Sequence, residues 1–339
     1  LEFRFRRVLF RSSFFKLVFA LSILSVTSVK AQMYVKANPF AHTFSIVARD
    51  SVTGDMGVAV QSHWFGVGSL VAWAKAGVGV VATQSFVNPS FGPKGLALMA
   101  NGLTPKMAVT NLLDLDPGKE VRQVAMLNAQ GDVFAYTGKN CIEFAGQEMG
   151  RNFSVQANLM EKSTVWPAMA KAFKTTKGTL AERLLAALDA AQAEGGDIRG
   201  KQAAALIVVK AEGSGNIWED TIVNLRVDDS DDPIKELHRL LNIHTAYEFM
   251  NQGDLAVEKG DFKLAKENYM KAQQMNPDNM EMKFWYAVTL TNNGDYKIAK
   301  PIFAKIFKGH KNWQVLIQRL IKPKLLIIND QQLKELINL

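Results

Sequence analysis

The chain has 339 residues, of which 48% are hydrophobic and 21% are charged, values that exclude wholesale disorder and leave room for about two folded domains. Its formal net charge is +8, but residues 1–31 hold six basic side chains and one acidic one, a net of +5. Only about +3 remains on the other residues, with no run of basic residues beside aromatic ones. We therefore do not expect nucleic acid as a partner.

The first 31 residues predict export. We interpret LEFRFRRVLFRS, at 1–12, as translated adapter sequence from cloning, and the segment after it as a signal peptide. Lys16 precedes a short apolar run, and Val29-Lys30-Ala31 is a small-x-small cleavage site. The apolar run is too short to span a membrane. We expect a secreted or periplasmic protein that begins near Gln32 and has no transmembrane segment.

Strand pairs and helices alternate along the next two hundred residues. The period-2 pattern predicts strands at 43–49, 57–61, 70–74, 77–83, 121–128, 133–136, 203–211 and 220–227. Helical spacing predicts a helix that starts at Thr104-Pro105 and further helices at 162–175 and 179–194. The almost wholly apolar run at 203–211 is typical of a central strand. This order of elements favours an α+β fold in which helices cover the sheets, rather than a doubly wound βαβ chain.

A repeat follows an acidic, proline-terminated linker. Gly260-Asp261-Phe262 recurs as Gly294-Asp295-Tyr296, 34 positions later. At the same offset a small residue matches a small one and an aromatic matches an aromatic: Ala265 with Ala299, and Tyr269 with Phe303. A period of 34 with this pattern resembles the tetratricopeptide family. We predict a linker and connecting helix at 229–245 and an all-α repeat domain at 246–339.

The repeat domain suggests a role in protein interaction. Helices predicted near 313–321 and 330–338 would cover the last apolar face of the array. Arrays of this kind bind peptides or protein surfaces, and the alternative is a purely structural packing or dimerisation domain. We expect an unknown peptide or protein as partner, with a homo-oligomer as a further option.

Few motifs in the chain suggest chemistry. The sequence has no HExxH, CxxC, Walker or GxSxG motif, and we expect neither a metal nor another cofactor. Cys141 is the single cysteine, which excludes an intrachain disulfide. Thr43 stands first in a predicted strand, where a chain can end without disrupting its sheet. A threonine with a free α-amino group can act as a nucleophile, because that amine titrates near working pH and can take the hydroxyl proton.

Long motifs match one known family. They are HTFSIVARDSVTGDMGVAVQSHWFGVGSLVAWAKAGVGVVATQSFVNPSFGPKGL, LDPGKEVRQVAMLN, FSVQANLM and LAERLLAALDAAQAEGGDIRGKQAAALIVV. Through them residues 42–228 resemble an uncharacterised bacterial and archaeal family, domain of unknown function 1028, which is grouped with the N-terminal nucleophile (Ntn) hydrolases. The resemblance implies a four-layer αββα sandwich, which we place at 40–228. By superfamily analogy it also implies an amidohydrolase.

The resemblance also suggests site residues. It implies Thr43 as the nucleophile and Ser62, at the end of the second strand, as a residue that tunes it. Asn88, Asp197 and Arg199 would bind substrate. The Asp197–Arg199 pair would recognise a substrate carboxylate, or alternatively would only fix its own loop.

The substrate and even the activity stay open at this stage. Some relatives carry a peptidoglycan-binding module after this domain, which suggests a peptide or cell-wall peptide amide as substrate. Relatives without a signal peptide begin at the matching TFSIVARD after the initiator Met. In this chain a cut between His42 and Thr43 is required instead. The alternatives are a non-catalytic binding or assembly module of the same fold, and a protein whose main function lies in the repeats.

Overall fold

The computed structural model describes residues 40–339. The predicted signal peptide and its cleavage site after Ala31 lie outside the described residues. Within them, a mixed α+β part is followed by a helical part. None of the helices among these residues is long and apolar enough to cross a lipid bilayer.

Two antiparallel sheets form the first part. The strands are β1 (Phe40–Ala41), β2 (Thr43–Arg49), β3 (Met56–Ser62), β4 (Ala72–Lys75), β5 (Gly79–Phe86), β6 (Arg122–Asn128), β7 (Val133–Thr137), β8 (Gly146–Gly150), β9 (Phe153–Ala157), β10 (Ala203–Val209) and β11 (Thr221–Val227). One sheet has the strand order β1-β5-β6-β7, and β4 pairs with β5 on the edge that β1 also uses. The other has the order β11-β10-β3-β2-β9-β8.

Helices pack against the outer face of each sheet. The helices of residues 40–339 are α1 (Phe91–Ala100), α2 (Pro105–Asp114), α3 (Val165–Thr175), α4 (Leu180–Ala193), α5 (Ile217–Asp220), α6 (Pro233–Glu258), α7 (Phe262–Met275), α8 (Met280–Asn292), α9 (Tyr296–Gly309), α10 (Asn312–Arg319) and α11 (Asp330–Ile337). Helices α1 and α2 pack on the sheet of β5 and β6, whereas α3, α4 and the first half of α6 pack on the other sheet. Thr179 and Glu182 form a capping box at the start of α4.

The inner faces of the two sheets meet in one apolar core. Val47 and Val58 from one sheet pack in the same cluster as Ala82 and Ala125 from the other. Strand side chains alternate between faces, so each strand gives every second residue to this inner layer. Strand β10 is buried along almost its whole length and lies between β3 and β11, as its apolar sequence predicts.

The β8–β9 hairpin was not predicted from the sequence. Its glycines and its polar residues, such as Gln147 and Gln156, obscure the apolar alternation. In the structure β9 pairs with β2 along Phe44–Ala48. Strand β2 is therefore an inner strand of its sheet, because it has β3 on one side and β9 on the other.

One long helix links the two parts of the chain. Helix α6 continues through residue 246, the boundary predicted from the sequence. Ile234 and Leu237, near its start, belong to the core of the first part. Met250 and Ala256, near its end, belong to the core of the helical part.

The repeated residues occupy equivalent places in successive helix pairs. Ala265 and Ala299 are fully buried in α7 and α9. The aromatic side chain of Phe303, also fully buried, contacts the ring of Phe284 in α8. Gly294 has φ of +86°, a conformation that favours glycine, in the turn before α9.

Candidate active site

Thr43 begins β2 at the point where the chain passes from one sheet to the other. Ala41 pairs with Ser85 of β5, whereas Thr43 pairs with Ser62 of β3. His42 forms the link between the two sheets. Thr43 and Ser62 are fully buried, and their side chains face the inner layer between the sheets.

Two donors converge on the carbonyl oxygen of His42. The Ser62 hydroxyl donates a hydrogen bond to it at 2.5 Å, and Nη2 of Arg199 donates a second at 2.9 Å. The Thr43 hydroxyl donates to the carbonyl oxygen of Ala41 at 2.6 Å. The peptide bond that precedes Thr43 therefore carries a polarised carbonyl group with a hydroxyl group beside it.

The Asp197 carboxylate holds Arg199 in place. It accepts hydrogen bonds from Nε of Arg199 at 3.0 Å and from Nη2 at 2.7 Å, in bidentate geometry. It also accepts the backbone N–H of Arg199 and that of His63. The Asp197 side chain is fully buried, while Arg199 keeps 28% of its side-chain exposure. This arrangement fixes the loop and also directs the guanidinium group at the His42 carbonyl oxygen.

The His42 side chain is enclosed at the same place. Its exposure is 2%, and its ring meets that of Phe86 edge to face at a centroid distance of 5.4 Å. Nδ1 lies 2.8 Å from Oδ1 of Asn158. Burial lowers the pKa of His42, and the positive charge of Arg199 lowers it further, while the Asn158 hydrogen bond and Asp197 act in the opposite direction. His42 is therefore neutral at physiological pH.

Buried amide side chains support the Thr43 backbone. Nε2 of Gln84 donates to the carbonyl oxygen of Thr43 at 3.1 Å and to Oε1 of Gln123 at 2.7 Å. Nδ2 of Asn158 donates to the same Gln123 oxygen at 2.9 Å. Ser45 donates to Gln84 and accepts from Gln156. All of these side chains are fully buried, so the network fixes the start of β2 against both sheets.

Residues 43–237 match the model of a family described as a family of unknown function (DUF1028). A solved structure titled protein SPO2555 from Silicibacter pomeroyi, of the same family, is 30% identical, with a TM-score of 0.54. The match covers 59% of this chain and 85% of that one. The chain belongs to the DUF1028 family. The family membership predicted from its motifs is thereby confirmed.

The other comparisons say less about this DUF1028 member. Residues 249–279 match a tetratricopeptide repeat model, which confirms the repeat. A solved structure titled Anbu (ancestral beta-subunit) from Yersinia bercovieri shares 12% identity and a TM-score of 0.30, covering 59% of this chain and 94% of that one. These values are too low to support an inference. None of the curated proteins matches the chain.

Four of the five predicted site residues of this DUF1028 member come together. The His42 carbonyl group precedes Thr43 and accepts hydrogen bonds from Ser62 and Arg199, and Asp197 binds Arg199. Asp197 and Arg199 lie more than 130 positions from the other two residues in the sequence. Asn88 belongs to a different polar group.

Asn88 contributes to a turn and to a second ion pair. Its Oδ1 accepts from Ser90, and its Nδ2 donates to Asp116 at 3.3 Å. Asp116 is held by Arg122 at 2.8 Å. Burial alone would raise the pKa of Asp116, but the hydrogen bonds from Arg122, Gly118 and Asn88 outweigh burial and lower it. These contacts give Asn88 a structural role at the start of α1.

Several residues of the site were not singled out by sequence reasoning. They include the side chain of His42, which the sequence presents only as the residue before the cut, and Gln123 and Ser45 of the buried network. The available signal was a polar residue on the inward face of an otherwise apolar strand, since a buried polar side chain needs a partner. Such a pattern identifies a network, but it does not show which strands meet.

The described residues offer no alternative centre with comparable chemistry. Between residues 40 and 339, no three His, Cys, Asp or Glu side chains are grouped so as to hold a metal ion. Burial raises the pKa of the Cys141 thiol, which makes it a weak nucleophile at neutral pH. What the Thr43 site can do chemically is stabilise negative charge on one carbonyl oxygen next to a hydroxyl group.

Proposed function

We propose that this protein is an amide hydrolase of the N-terminal nucleophile class, with Thr43 as its nucleophile. The observation that carries the proposal is the pair of hydrogen bonds that Ser62 and Arg199 donate to the carbonyl oxygen of His42. The sequence of layers, with helices on the outer faces of two packed sheets, supports assignment of the first part to the four-layer αββα sandwich.

The first reaction would be cleavage of the chain's own His42–Thr43 bond. The Thr43 oxygen attacks the His42 carbonyl carbon, and the carbonyl electron pair moves to its oxygen. The Ser62 hydroxyl and the Arg199 guanidinium stabilise that negative charge, as an oxyanion hole does. The carbon–nitrogen bond then breaks as the hydroxyl proton passes to nitrogen. Water hydrolyses the resulting ester, which leaves a His42 carboxylate and a free Thr43 amine.

The same groups would then act on a second amide. The free amine of Thr43 takes the proton of its own hydroxyl group, because its pKa of about 8 lies near working pH. The hydroxyl oxygen attacks the substrate carbonyl, and Ser62 and Arg199 again stabilise the oxyanion. The amine returns the proton to the leaving nitrogen, and water completes the cycle.

The remaining parts of the chain suggest where the protein acts and what it binds. The signal-peptide pattern of residues 1–31 supports export to the periplasm or medium. The tetratricopeptide repeat supports binding of a protein or peptide partner through the helical part. A peptide or cell-wall peptide amide is a substrate consistent with both.

A mass measurement tests the proposal directly. Protein recovered from an exporting host is analysed by intact mass and N-terminal sequencing, with Thr43→Ala and Thr43→Ser as variants. We expect the natural chain and the Ser variant to begin at residue 43, and the Ala variant to keep the bond. A homogeneous natural start upstream of Thr43 would overturn the mechanism.

That outcome would favour the alternative, a non-catalytic binding module of the same fold. It is supported by the burial of Thr43, and by the hydrogen bonds that the Thr43 carbonyl oxygen accepts from Gln84 and Asn158 while the His42–Thr43 bond is intact.

A further inference from the structure

We propose that residues 40–42 occupy the site in which the substrate binds, so that their features define it. The substrate is then an extended peptide whose residue before the cleaved bond carries a neutral side chain with a hydrogen-bond donor, as His42 does. This inference rests on the proposed function and identifies the substrate class of the same site.

The first feature is a strand-shaped slot. On the edge of β5 that faces away from β6, β4 covers Gly79 to Ala82, and Thr83 donates its N–H to Val71. Beyond that point the edge is covered, among the described residues, by Phe40 and Ala41. Cleavage after His42 would allow this segment to leave. The exposed edge at Ser85 and Phe86 would then accept an extended peptide as an added strand.

The second feature is the position of the cleaved carbonyl group. A peptide that follows residues 40–42 places its third carbonyl oxygen where that of His42 lies. It would thus receive the hydrogen bonds of Ser62 and Arg199. The Thr43 hydroxyl group and its free amine stand next to that carbonyl carbon. Pairing with β5 and the two hydrogen bonds to the carbonyl oxygen therefore suffice to align a peptide bond of the substrate with the nucleophile.

The third feature is the enclosure around the His42 ring. Phe86 closes one side with the edge-to-face contact, and Asn158 closes another with its amide. The whole residue keeps only 2% of its exposure to solvent. A charged side chain in this enclosure would lose its hydration, the Asn158 oxygen would repel an anion, and the positive charge of Arg199 would repel a cation. The enclosure therefore favours a neutral, planar side chain.

The orientation of Asn158 decides which hydrogen bond the enclosure offers. Its Nδ2 donates to Oε1 of Gln123 at 2.9 Å and approaches the Thr43 carbonyl oxygen at 3.4 Å. Both partners are acceptors, so the amide nitrogen must point towards them. Oδ1 consequently faces His42, and neutral His42 must carry its proton on Nδ1. The enclosure presents a buried acceptor, and a side chain without a donor leaves that acceptor unpaired.

A series of matched peptides tests the inference on the processed full-length protein. The probes are acetyl-Phe-Ala-X aminomethylcoumarin amides, with His, Asn, Leu or Asp at X. The last three have nearly the same size, but only Asn brings a neutral donor. We expect kcat/KM for His and Asn to exceed that for Leu and Asp at least tenfold.

Two further probes separate the strand slot from the enclosure. The His peptide with methyl groups on its Phe and Ala nitrogens cannot donate to β5 and should be cleaved at least tenfold more slowly. The free acid acetyl-Phe-Ala-His should bind the processed protein in calorimetry, and acetyl-Phe-Ala-Leu should bind at least tenfold more weakly. Calorimetry needs no turnover, so it reports on the site itself.

The failure of this inference differs from the failure of the proposed function. Equal cleavage of the Asn and Leu peptides, or equal cleavage of the methylated one, overturns the substrate class while the hydrolase stands. Hydrolysis of non-peptide amides alone does the same. A chain whose mass shows an intact His42–Thr43 bond overturns both proposals.

Discussion

Replacement of Ser62 by alanine gives the most direct test of how the site polarises the His42 carbonyl group. The Ser62 hydroxyl supplies one of the two donors to that oxygen, at 2.5 Å, and Arg199 supplies the other. Removal of one oxyanion donor typically slows acyl transfer about 100- to 1000-fold, which corresponds to about 2.7–4 kcal/mol in the transition state. We expect Ser62→Ala to slow cleavage of the His42–Thr43 bond by that factor.

The same substitution should affect stability much less. The His42 carbonyl oxygen keeps its hydrogen bond from Arg199, so it is not left unpaired. The loss of one buried hydrogen bond costs about 1 kcal/mol of unfolding free energy. The predicted effect on the rate therefore exceeds the predicted effect on stability by about 2 kcal/mol or more.

A time course of intact mass measures the rate after purification, since the variant should arrive uncleaved. Thr291→Ala is the control, because Thr291 is also a buried hydroxyl that donates a hydrogen bond but lies in α8 of the helical part, outside the site. We expect the control to lose stability and still cleave at the natural rate. Cleavage of Ser62→Ala as fast as the natural chain would refute the role of the hydroxyl group.

Two other predictions concern the surroundings of the site, and a third concerns the packing of α4 on β3. Asp197→Asn should abolish cleavage and lower the unfolding free energy by about 1.5–3 kcal/mol in urea titration, because it removes the charge-assisted hydrogen bonds that hold Arg199; unchanged cleavage would contradict this. Because burial lowers the pKa of His42 in the folded state, the unfolded chain binds the proton more readily, and stability is lost as pH falls below about 6.5. The urea midpoint of uncleaved Thr43→Ala should thus be lower at about pH 5.5 than at about pH 7.5, and adding His42→Asn should reduce that difference; an equal difference in both chains would exclude His42 as its source. Gly57→Ala should lower the unfolding free energy by about 1–3 kcal/mol, because a Cβ atom there would lie 2.5 Å from Cδ1 of Leu184. Adding Leu184→Val to this variant should restore part of the lost stability, whereas Leu184→Val by itself should not stabilise the natural chain.

Local patterns in the sequence are enough to locate most of the elements. The strand predicted at 43–49 is found as Thr43–Arg49, and the helix predicted at 179–194 is found as Leu180–Ala193. Both carry strong signals, an alternation of polar and apolar residues from Thr43 to Ile46 in the first and a capping residue in the second. The hairpin of β8 and β9 carries neither signal, and its partner β2 lies a hundred residues away.

The sequence by itself was also enough to identify the family, the repeat and Thr43 as the candidate nucleophile, because long motifs and a fixed period can be read without the folded structure. It placed Ser62 apart from the Asp197–Arg199 pair. Only the tertiary structure decided that Ser62 and Arg199 donate to one carbonyl oxygen, that of His42, and that Asp197 holds Arg199 in place for this contact. A hydrogen bond between residues 157 positions apart depends on the register of four strands and a loop, and no local pattern encodes that register.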